Sequence, residues 1–291
     1  MRVTDLYAKK APVVSMEFFP PRDESAAEKF EGVVDTLAER KPDYKAVTFG
    51  AGGSNRDGSY QTVKKLMNEK QHPTVAYIAG YGLGPEEITD VLDKYKDLGV
   101  KTVFVIRGDQ PRDENFVPHP ESFSYACDLI AFIRDRYDFT LGCAGYPEGH
   151  IEAESLEKDI EALKKKQDAG AEYVVAQFCY DNQFFYDYEQ KCRQAGITIP
   201  IIPGIMPVYT VKLINILSRV CGATITPELQ QKLDALNGAD KDTVLQTGID
   251  FAVEQCRDLL QNNVAGLHFY TMNRSKSTCA IIDRLRSENL L

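Results

Sequence analysis

The sequence predicts a single-domain α/β protein, a (β/α)8 TIM barrel with extra helices between its seventh and eighth strands. Eight short runs rich in Val, Ile, Phe, Tyr or Thr alternate with amphipathic helical stretches along the chain. Its 291 residues, 43% of them apolar, are enough for eight βα units around one core. An open doubly wound sheet fits less well, because no Gly-x-Gly-x-x-Gly turn follows the first run.

The eight runs are interpreted as strands because β-branched and aromatic residues concentrate in them. They cover residues 13–19, 45–50, 74–79, 102–107, 139–145, 173–179, 199–205 and 265–271. Between them, apolar residues recur at helical spacings of three and four, as in Ile88, Val91, Leu92, Tyr95 and Leu98. Gly99, Gly170 and Gly196 are expected to end three helices just before the next strand.

The seventh connection, residues 207–264, is too long for one helix. Thr226 followed by Pro227 is typical of a helix start, so we expect additional helices there. No linker, low-complexity segment or internal repeat beyond the βα alternation divides the chain. Residues 1–291 are therefore interpreted as one barrel domain.

Composition narrows the classes of function. The formal net charge of −9 argues against broad nucleic-acid binding, which needs basic surface. No apolar run approaches the roughly 20 residues that span a bilayer, and the first ten residues lack a secretory signal, so we expect no membrane insertion and a cytoplasmic location. The seven cysteines are scattered without a Cys-x-x-Cys pair, which predicts neither a disulfide framework nor a metal site.

One carboxylate, Glu17, lies in the otherwise apolar first strand, just before the pair Pro20-Pro21. Side chains alternate along a strand, so Ser15 and Glu17 share one face. Burying an ionised carboxylate without a partner is costly, and Glu17 is expected to keep a proton or to meet a ligand. Either outcome suits a proton donor. The plainer alternative, commoner for a single strand glutamate, is that Glu17 reaches water or an arginine at the strand end.

Polar residues follow most of the predicted strands. Barrel active sites lie at the carboxyl ends of the strands, so these residues are the candidates for a site. They are Glu17, Thr48, Arg107, Gly108, Asp109, Tyr146, His150, Gln177, Asn273 and Arg274. His268, inside the eighth strand, is instead expected to be a hydrogen-bonded core residue.

Eight motifs along the chain resemble the methylenetetrahydrofolate reductase family, in order and at compatible spacings. They are MEFFPP (16–21), VTFGA (47–51), RGD (107–109), AGYPEGH (144–150), DAGA (168–171), AQF (176–178), IIPGIMPV (201–208) and HFYTMNR (268–274). A single such motif would be weak support, whereas eight collinear matches are specific. The resemblance runs from the first strand to the last.

This resemblance implies a flavin-dependent barrel that reduces 5,10-methylenetetrahydrofolate to 5-methyltetrahydrofolate. It implies that Glu17 is the general acid that protonates N10, which opens the five-membered ring to an N5-iminium ion, and that reduced flavin delivers the hydride. Asp109 would lie near flavin and pterin and tune both. The substrate-binding residues it implies are Glu17, Asp109, Gln177 and Arg274. Taken alone, Asp109 would be a turn aspartate and Arg274 a solvated arginine.

The cofactor implied by the family is FAD, with FMN as the alternative. The residues that match family binding positions are Thr48, Tyr77, Arg107, Gly108, Asp109, Tyr125, Ala126, Ala144, Tyr146, His150, Asp159, Lys165 and Lys166. For Lys165 and Lys166 the plain alternative is a solvated helix surface. The resemblance implies instead that they lie beside the FAD diphosphate and ribose.

Two departures from the family pattern concern the flavin and the electron donor. Tyr77 stands where many members carry a histidine that touches the flavin, and Leu213 and Leu217 replace a glutamine and a phenylalanine. The donor therefore stays open between NADH or NADPH, a ferredoxin-like protein, and a reductase partner subunit. We also expect a homo-oligomer. Because the chain ends at Leu291, just after the last predicted helix, no domain inhibited by S-adenosylmethionine is expected.

Two rival functions remain at the level of the sequence. One is a pterin-binding barrel for methyl transfer without redox chemistry, and the other is a flavin-bearing subunit of a larger electron-transfer complex. Purified protein separates them. Yellow protein supports the reductase, colourless protein that binds folate supports the transferase, and a flavoprotein that never oxidises methyltetrahydrofolate supports the subunit.

Overall fold

In the described part of the chain, nine parallel strands form one sheet that almost closes on itself, which confirms the predicted barrel. The computed structural model describes residues 2–9, 11–50, 56–110 and 115–291, so Ala51 at the end of the second motif lies outside the described residues. The strands are β1 (Val13–Phe18), β2 (Tyr44–Val47), β3 (Thr74–Ala79), β4 (Thr102–Ile106), β5 (Thr140–Gly145), β6 (Tyr173–Ala176), β7 (Ile201–Ile202), β8 (Gly204–Ile205) and β9 (Gly266–Tyr270). Their order in the sheet is β7-β6-β5-β4-β3-β2-β1-β9-β8.

The predicted seventh strand is divided at Pro203. Its first half, β7, pairs with β6, and its second half, β8, pairs with β9, so the two halves bring the edges of the sheet together. Proline has no N–H to donate to a ladder, but the Pro203 carbonyl still accepts a bond from the His268 N–H at 3.1 Å. A Cβ on Gly204 would lie 2.3 Å from the Ala176 carbonyl oxygen, so only glycine permits this close passage beside β6.

Eleven α-helices surround the strands in the described part of the chain. They are α1 (Thr4–Tyr7), α2 (Glu24–Ala38), α3 (Arg56–Lys64, followed by a π-helical turn at Lys65–Glu69), α4 (Pro85–Asp97), α5 (Ala126–Arg134), α6 (Leu156–Asp168), α7 (Asn182–Gln194), α8 (Val211–Cys221), α9 (Pro227–Ala235), α10 (Lys241–Gln261) and α11 (Lys276–Ser287). The extra helices predicted between residues 207 and 264 are α8, α9 and α10, and Pro227 begins α9 as expected. None of the described helices combines the length and apolar character that a membrane crossing requires.

The short helix α1 lies at the amino end of the barrel and was not predicted, because four residues are too few for a periodic pattern. The backbone N–H of Val3 donates to Thr102 Oγ1 on β4 at 3.2 Å. Arg2 donates to Asp138 at 2.5 Å, just before β5. These bonds place the Tyr7 side chain against the barrel interior, where its ring centroid lies 5.8 Å from that of Tyr173.

A column of aromatic rings fills the barrel between its amino end and its mouth. Beyond Tyr7, Tyr173 contacts Phe104 at 5.9 Å between centroids, and Phe104 stacks on Tyr77 at 4.4 Å with planes 22° apart. Gly142 on β5 leaves the room for this column, since a Cβ there would lie 2.3 Å from the Tyr173 ring and 2.6 Å from Phe104. The column fixes Tyr77 at the level of the strand ends.

Candidate active site

Glu17 is buried inside the barrel mouth, with only 5% of the residue exposed. The Tyr77 hydroxyl, on β3, donates to Glu17 Oε2 at 2.7 Å. Nε2 of His268, on β9, lies 3.6 Å from the same oxygen. Thr271 Oγ1 donates to the Glu17 carbonyl at 2.6 Å and fixes the strand end. Glu17 is therefore not open to bulk water, contrary to the plainer alternative, and its carboxylate lies beside the side chains of Tyr77 and His268.

His268 is a fully buried core residue, as the sequence predicts. It is opposite Ser15 in the register of β1 and β9, and Ser15 Oγ lies 2.8 Å from its Nδ1. Its other ring nitrogen, Nε2, is buried without a hydrogen-bond partner among the described residues. Buried polar atoms rarely lack a hydrogen-bond partner. A small shift of Glu17 or a bound ligand would give Nε2 the partner that it lacks.

Tyr77 remains a hydrogen-bond donor over the whole neutral range. Burial raises the pKa of its hydroxyl well above the ordinary value, and the nearby Glu17 carboxylate raises it further. Its stacking on Phe104 holds the ring in one orientation. A phenol in this place donates to Glu17 without carrying a charge of its own.

A cavity of about 740 Å³ opens above Glu17 at the carboxyl ends of strands β1 to β5. The predicted site residues that line it are Glu17, Thr48, Tyr77, Arg107, Gly108, Asp109, Tyr146 and His150. Its size falls within the range of cofactor and ligand pockets. The strand ends thus bring together residues that lie up to 133 positions apart in the chain, from Glu17 to His150.

The cavity has residues that were not predicted. They are Phe19, Pro20, Arg22, Phe49, Gly50, Ala79 and Ile106. Most are immediate neighbours of predicted site residues, and that adjacency is the signal that could have found them. Arg22 adds a second positively charged side chain to the cavity lining, in addition to Arg107.

Arg107 at the cavity edge forms an ion pair with Glu152, at 2.6 Å between Nη1 and Oε2. The hydrogen bond from Arg107 lowers the pKa of Glu152, and the same bond raises the pKa of Arg107. Both side chains are partly exposed, so this pair contributes little stability. It holds a guanidinium at the mouth, where an anionic group could replace Glu152.

Five of the predicted cofactor residues lie together at the end of β5. The rings of Tyr146 and His150 meet edge to face at 4.7 Å. Lys166 reaches back from α6 and donates to the Ala144 carbonyl at 2.9 Å, with its Nζ 5.7 Å from the Tyr146 ring. Asp159 is buried, and burial raises its pKa while Lys166 lowers it. This cluster adjoins the cavity through Tyr146 and His150.

The other two lysines of the run make no contact with the end of β5 in the described structure. Lys165 is exposed on α6, and Lys164 forms an ion pair with Asp168 on the same helix. Of the three, only Lys166 contacts the carboxyl end of a strand in the described structure. Helix periodicity explains this, because Lys166 follows the buried Leu163 by three positions.

Four further predicted residues do not line the cavity. Tyr125 is 65% exposed, and Ala126 is the first residue of α5. Gln177 Oε1 accepts a bond from the next backbone N–H at 3.2 Å. The Arg274 guanidinium lies 5.1 Å from the centroid of the Tyr209 ring. A role for these four in binding stays a prediction.

Comparison with known proteins decides the family. A family model described as methylenetetrahydrofolate reductase matches residues 2–286. The chain belongs to the methylenetetrahydrofolate reductase family. It is 31% identical over 272 residues to the 5,10-methylenetetrahydrofolate reductase of Escherichia coli, covering 94% of this chain and 90% of that protein.

Plant members of the methylenetetrahydrofolate reductase family are longer. The chain is 35% identical over 283 residues to methylenetetrahydrofolate reductase (NADH) 1 of Arabidopsis thaliana, covering 93% of this chain and 48% of that protein. It thus spans about half the length of this relative, and the fission yeast and other plant relatives show the same ratio.

Solved structures share the fold. A protein from Clostridium thermocellum that binds two copies of 5-methyl-5,6,7,8-tetrahydrofolic acid matches with a TM-score of 0.67 at 14% identity, over 98% of both chains. Dihydropteroate synthase from Xanthomonas albilineans, in complex with 7,8-dihydropteroate, matches with a TM-score of 0.52 at 12% identity, over 97% of this chain and 94% of that one. At these identities the likeness concerns the barrel alone.

Proposed function

We propose that this chain reduces 5,10-methylenetetrahydrofolate to 5-methyltetrahydrofolate, with Glu17 as the general acid. The observation that carries the proposal is the Glu17 carboxyl, buried at the base of a large cavity and contacted by Tyr77. Family membership and the E. coli relative support the same reaction. The folate bound by the C. thermocellum structure is consistent with a folate site in a barrel of this shape.

The chemistry of the substrate explains a buried acid. Opening the five-membered ring requires a proton at N10, a weakly basic nitrogen, and exposed carboxyls are almost fully ionised at neutral pH. Glu17 donates the proton to N10 as the C–N bond to the methylene carbon breaks, which leaves an N5-iminium ion on the substrate. Tyr77 then donates its hydrogen bond to the resulting carboxylate and stabilises the negative charge.

The described residues fit a flavin nucleotide. The volume of the cavity is sufficient for a large ligand. Two arginines that line it, Arg22 and Arg107, have the charge and geometry to bind phosphate groups. Gly108, with φ of +88°, permits close approach of the backbone. We propose that FAD is held by Thr48, Arg107, Gly108, Asp109, Tyr146, His150, Asp159 and Lys166. When bound, the flavin supplies the hydride that reduces the iminium carbon.

The proposal also concerns the donor that reduces the flavin, for which a nicotinamide nucleotide is the first candidate. The plant relative is named for NADH, which supports direct reduction of the flavin by NADH or NADPH. Leu213 and Leu217 on α8 are partly buried against the apolar cluster around Phe178 and Met206, so no aromatic ring stands at these two positions. A ferredoxin-like donor or a reductase partner subunit is the alternative.

Anaerobic spectroscopy tests the donor and the reaction together. The purified protein is incubated in turn with NADH, NADPH and a reduced ferredoxin, and bleaching of the flavin is followed. Methylenetetrahydrofolate is then added. We expect bleaching with a nicotinamide, followed by reoxidation and formation of 5-methyltetrahydrofolate. Protein that carries no flavin and still binds folate would contradict the proposal, and mass analysis of the released cofactor distinguishes FAD from FMN.

Replacing Tyr77 by Phe should lower kcat for folate reduction about 10-fold, because a hydrogen bond to a charged group is lost from Glu17. Flavin reduction by the donor should be unchanged. The matched control is Tyr137→Phe, which removes a similar bond of 2.8 Å from a tyrosine to Asp93, away from the cavity. A Tyr77→Phe protein with normal kcat would remove Tyr77 from the mechanism.

Lys166→Ala should weaken FAD binding about 10-fold, as expected for loss of one charge-assisted contact. The neighbouring Lys165→Ala is the control, because Lys165 is exposed on α6 and its loss should change affinity little. Titration of flavin-free protein with FAD, followed by flavin fluorescence, measures both. Equal effects of the two substitutions would contradict the placement of Lys166 at the cofactor.

A further inference from the structure

A line of polar side chains runs through the barrel interior from Glu17 toward the opposite end of the barrel. His268 Nε2 lies 3.6 Å from Glu17 Oε2, and His268 Nδ1 lies 2.8 Å from Ser15 Oγ. Ser15 is the register partner of Tyr44 on β2. Burial raises the pKa of the Tyr44 hydroxyl and Ser15 lowers that pKa by less, and no hydrogen bond joins the two side chains in the described part of the structure. The Tyr44 hydroxyl lies 2.9 Å from the hydroxyl of Tyr7.

Besides the gap between Ser15 and Tyr44, the line has an open link between Glu17 and His268. At 3.6 Å it is longer than a hydrogen bond. Both groups are buried, and Nε2 has no other partner among the described residues. Because Tyr77 holds the same carboxylate oxygen at 2.7 Å, a movement of less than about 1 Å toward His268 would complete the bond.

The far end of the line lies at the amino face of the barrel. Tyr7 belongs to α1, which covers that face, and it is only partly buried, whereas Tyr44 is 1% exposed. The carboxylate of Asp43, also partly exposed, is close enough to raise the pKa of both tyrosines, although burial is the larger cause in each. An acidic group thus stands beside the outermost hydroxyl.

We propose that this line is a proton path that resupplies Glu17 from the amino end of the barrel, through Tyr7, Tyr44, Ser15 and His268. The inference rests on the proposed function, in which Glu17 loses one proton to N10 in each turnover. Substrate and cofactor bound in the cavity would cover Glu17 on the side of the barrel mouth. The path provides access from the opposite side.

The transfer balances without a charged intermediate on any tyrosine. His268 gives the proton on Nε2 to the Glu17 carboxylate and takes one on Nδ1 from the Ser15 hydroxyl. Ser15 takes a proton from Tyr44, Tyr44 takes one from Tyr7, and Tyr7 takes one from water. Each hydroxyl breaks one O–H bond and forms another, and His268 is left protonated on Nδ1, so tautomerisation or rotation of its ring restores the Nε2 proton before the next turnover. The high pKa of the buried tyrosines is compatible with this, since no phenolate forms.

The test uses Tyr44→Phe, which removes the central hydroxyl and keeps Glu17, Ser15 and His268. Tyr173→Phe is the matched control, because the Tyr173 hydroxyl is buried in the same interior and has no hydrogen-bond partner among the described residues. We expect Tyr44→Phe to slow steady-state folate turnover about 10-fold while the first turnover of pre-equilibrated enzyme is unchanged. Tyr173→Phe should leave both rates as in the wild type.

A second measurement needs no cofactor. The chain has four histidines, so the ring nitrogens of His268 can be assigned by ¹⁵N NMR in flavin-free protein with the help of a His268→Gln variant. We expect the Nδ1 signal to shift in Tyr44→Phe and in a Tyr7→Phe variant, which serves if Tyr44→Phe does not fold. It should not shift in Tyr173→Phe.

Three results would overturn the path. The first is an unchanged rate of steady-state turnover in Tyr44→Phe, and the second is equal slowing of its first and later turnovers. The third is a His268 Nδ1 signal that shifts in neither Tyr44→Phe nor Tyr7→Phe. Failure of the proposed function looks different. In that case the wild-type protein itself would not turn over methylenetetrahydrofolate, although the NMR comparison would still report on the line of polar side chains.

Discussion

Glu17→Gln is expected to lower folate reduction by about 10²- to 10⁴-fold, the range that a general acid contributes. An amide has nearly the shape of the carboxyl, so the hydroxyl of Tyr77 keeps an oxygen to bond, but no proton can be given to N10. Reduction of the bound flavin by its donor should continue at the wild-type rate, because that half of the reaction does not use the acid.

Stopped-flow spectroscopy of the two half-reactions measures this split. The control is Glu86→Gln, which changes an exposed glutamate in the first turn of α4, away from the cavity. Loss of both half-reactions in Glu17→Gln would point to a damaged flavin site. Folate reduction at the normal rate would remove Glu17 from the chemistry.

Gly142→Ala is expected to destabilise the barrel by about 1–3 kcal/mol, as for other overpacked cores. The new methyl group would lie 2.3 Å from the Tyr173 ring and 2.6 Å from Phe104, and both rings are enclosed by strands that cannot move apart freely. Phe104 stacks on Tyr77, so a displaced column should also disturb the bond from Tyr77 to Glu17. We therefore expect slower folate turnover in the protein that still folds.

Urea denaturation at fixed protein concentration measures the first effect. Gly32→Ala is the matched control, because a Cβ at Gly32 in α2 would meet no atom within 4 Å. That substitution should be neutral or stabilise by about 0.5–1 kcal/mol through the loss of backbone entropy in the unfolded chain. If Gly142→Ala were as stable as the wild type, the aromatic column would not be closely packed.

Most of the fold could be predicted from periodicity. Strands that alternate β-branched residues and helices with apolar residues at spacings of three and four were found where expected, and the long connection before β9 contains α8, α9 and α10. The break at Pro203 was missed because the apolar character of residues 199–205 outweighed the proline. The missing N–H at a proline is a local signal that could have placed this break.

The site was predictable only in part, because contacts between strands depend on the tertiary fold. Alternation along β1 placed Glu17 on the face of Ser15, and both contact His268 in the structure. The bond between Tyr77 and Glu17 joins residues 60 positions apart and has no signature in the sequence. The sequence gives no signal for the role of Gly142 either, because that role depends on the Tyr173 ring, which a side chain at position 142 would displace.

The most direct test of the account uses the wild-type protein with its flavin reduced photochemically, so that no natural donor is needed. Methylenetetrahydrofolate is then added without oxygen, and the flavin absorbance and the folate product are followed together. We predict reoxidation of the flavin with one equivalent of 5-methyltetrahydrofolate formed, and neither change in Glu17→Gln. A flavin that stays reduced in the wild type, or one that is reoxidised equally in Glu17→Gln, would contradict the central claim.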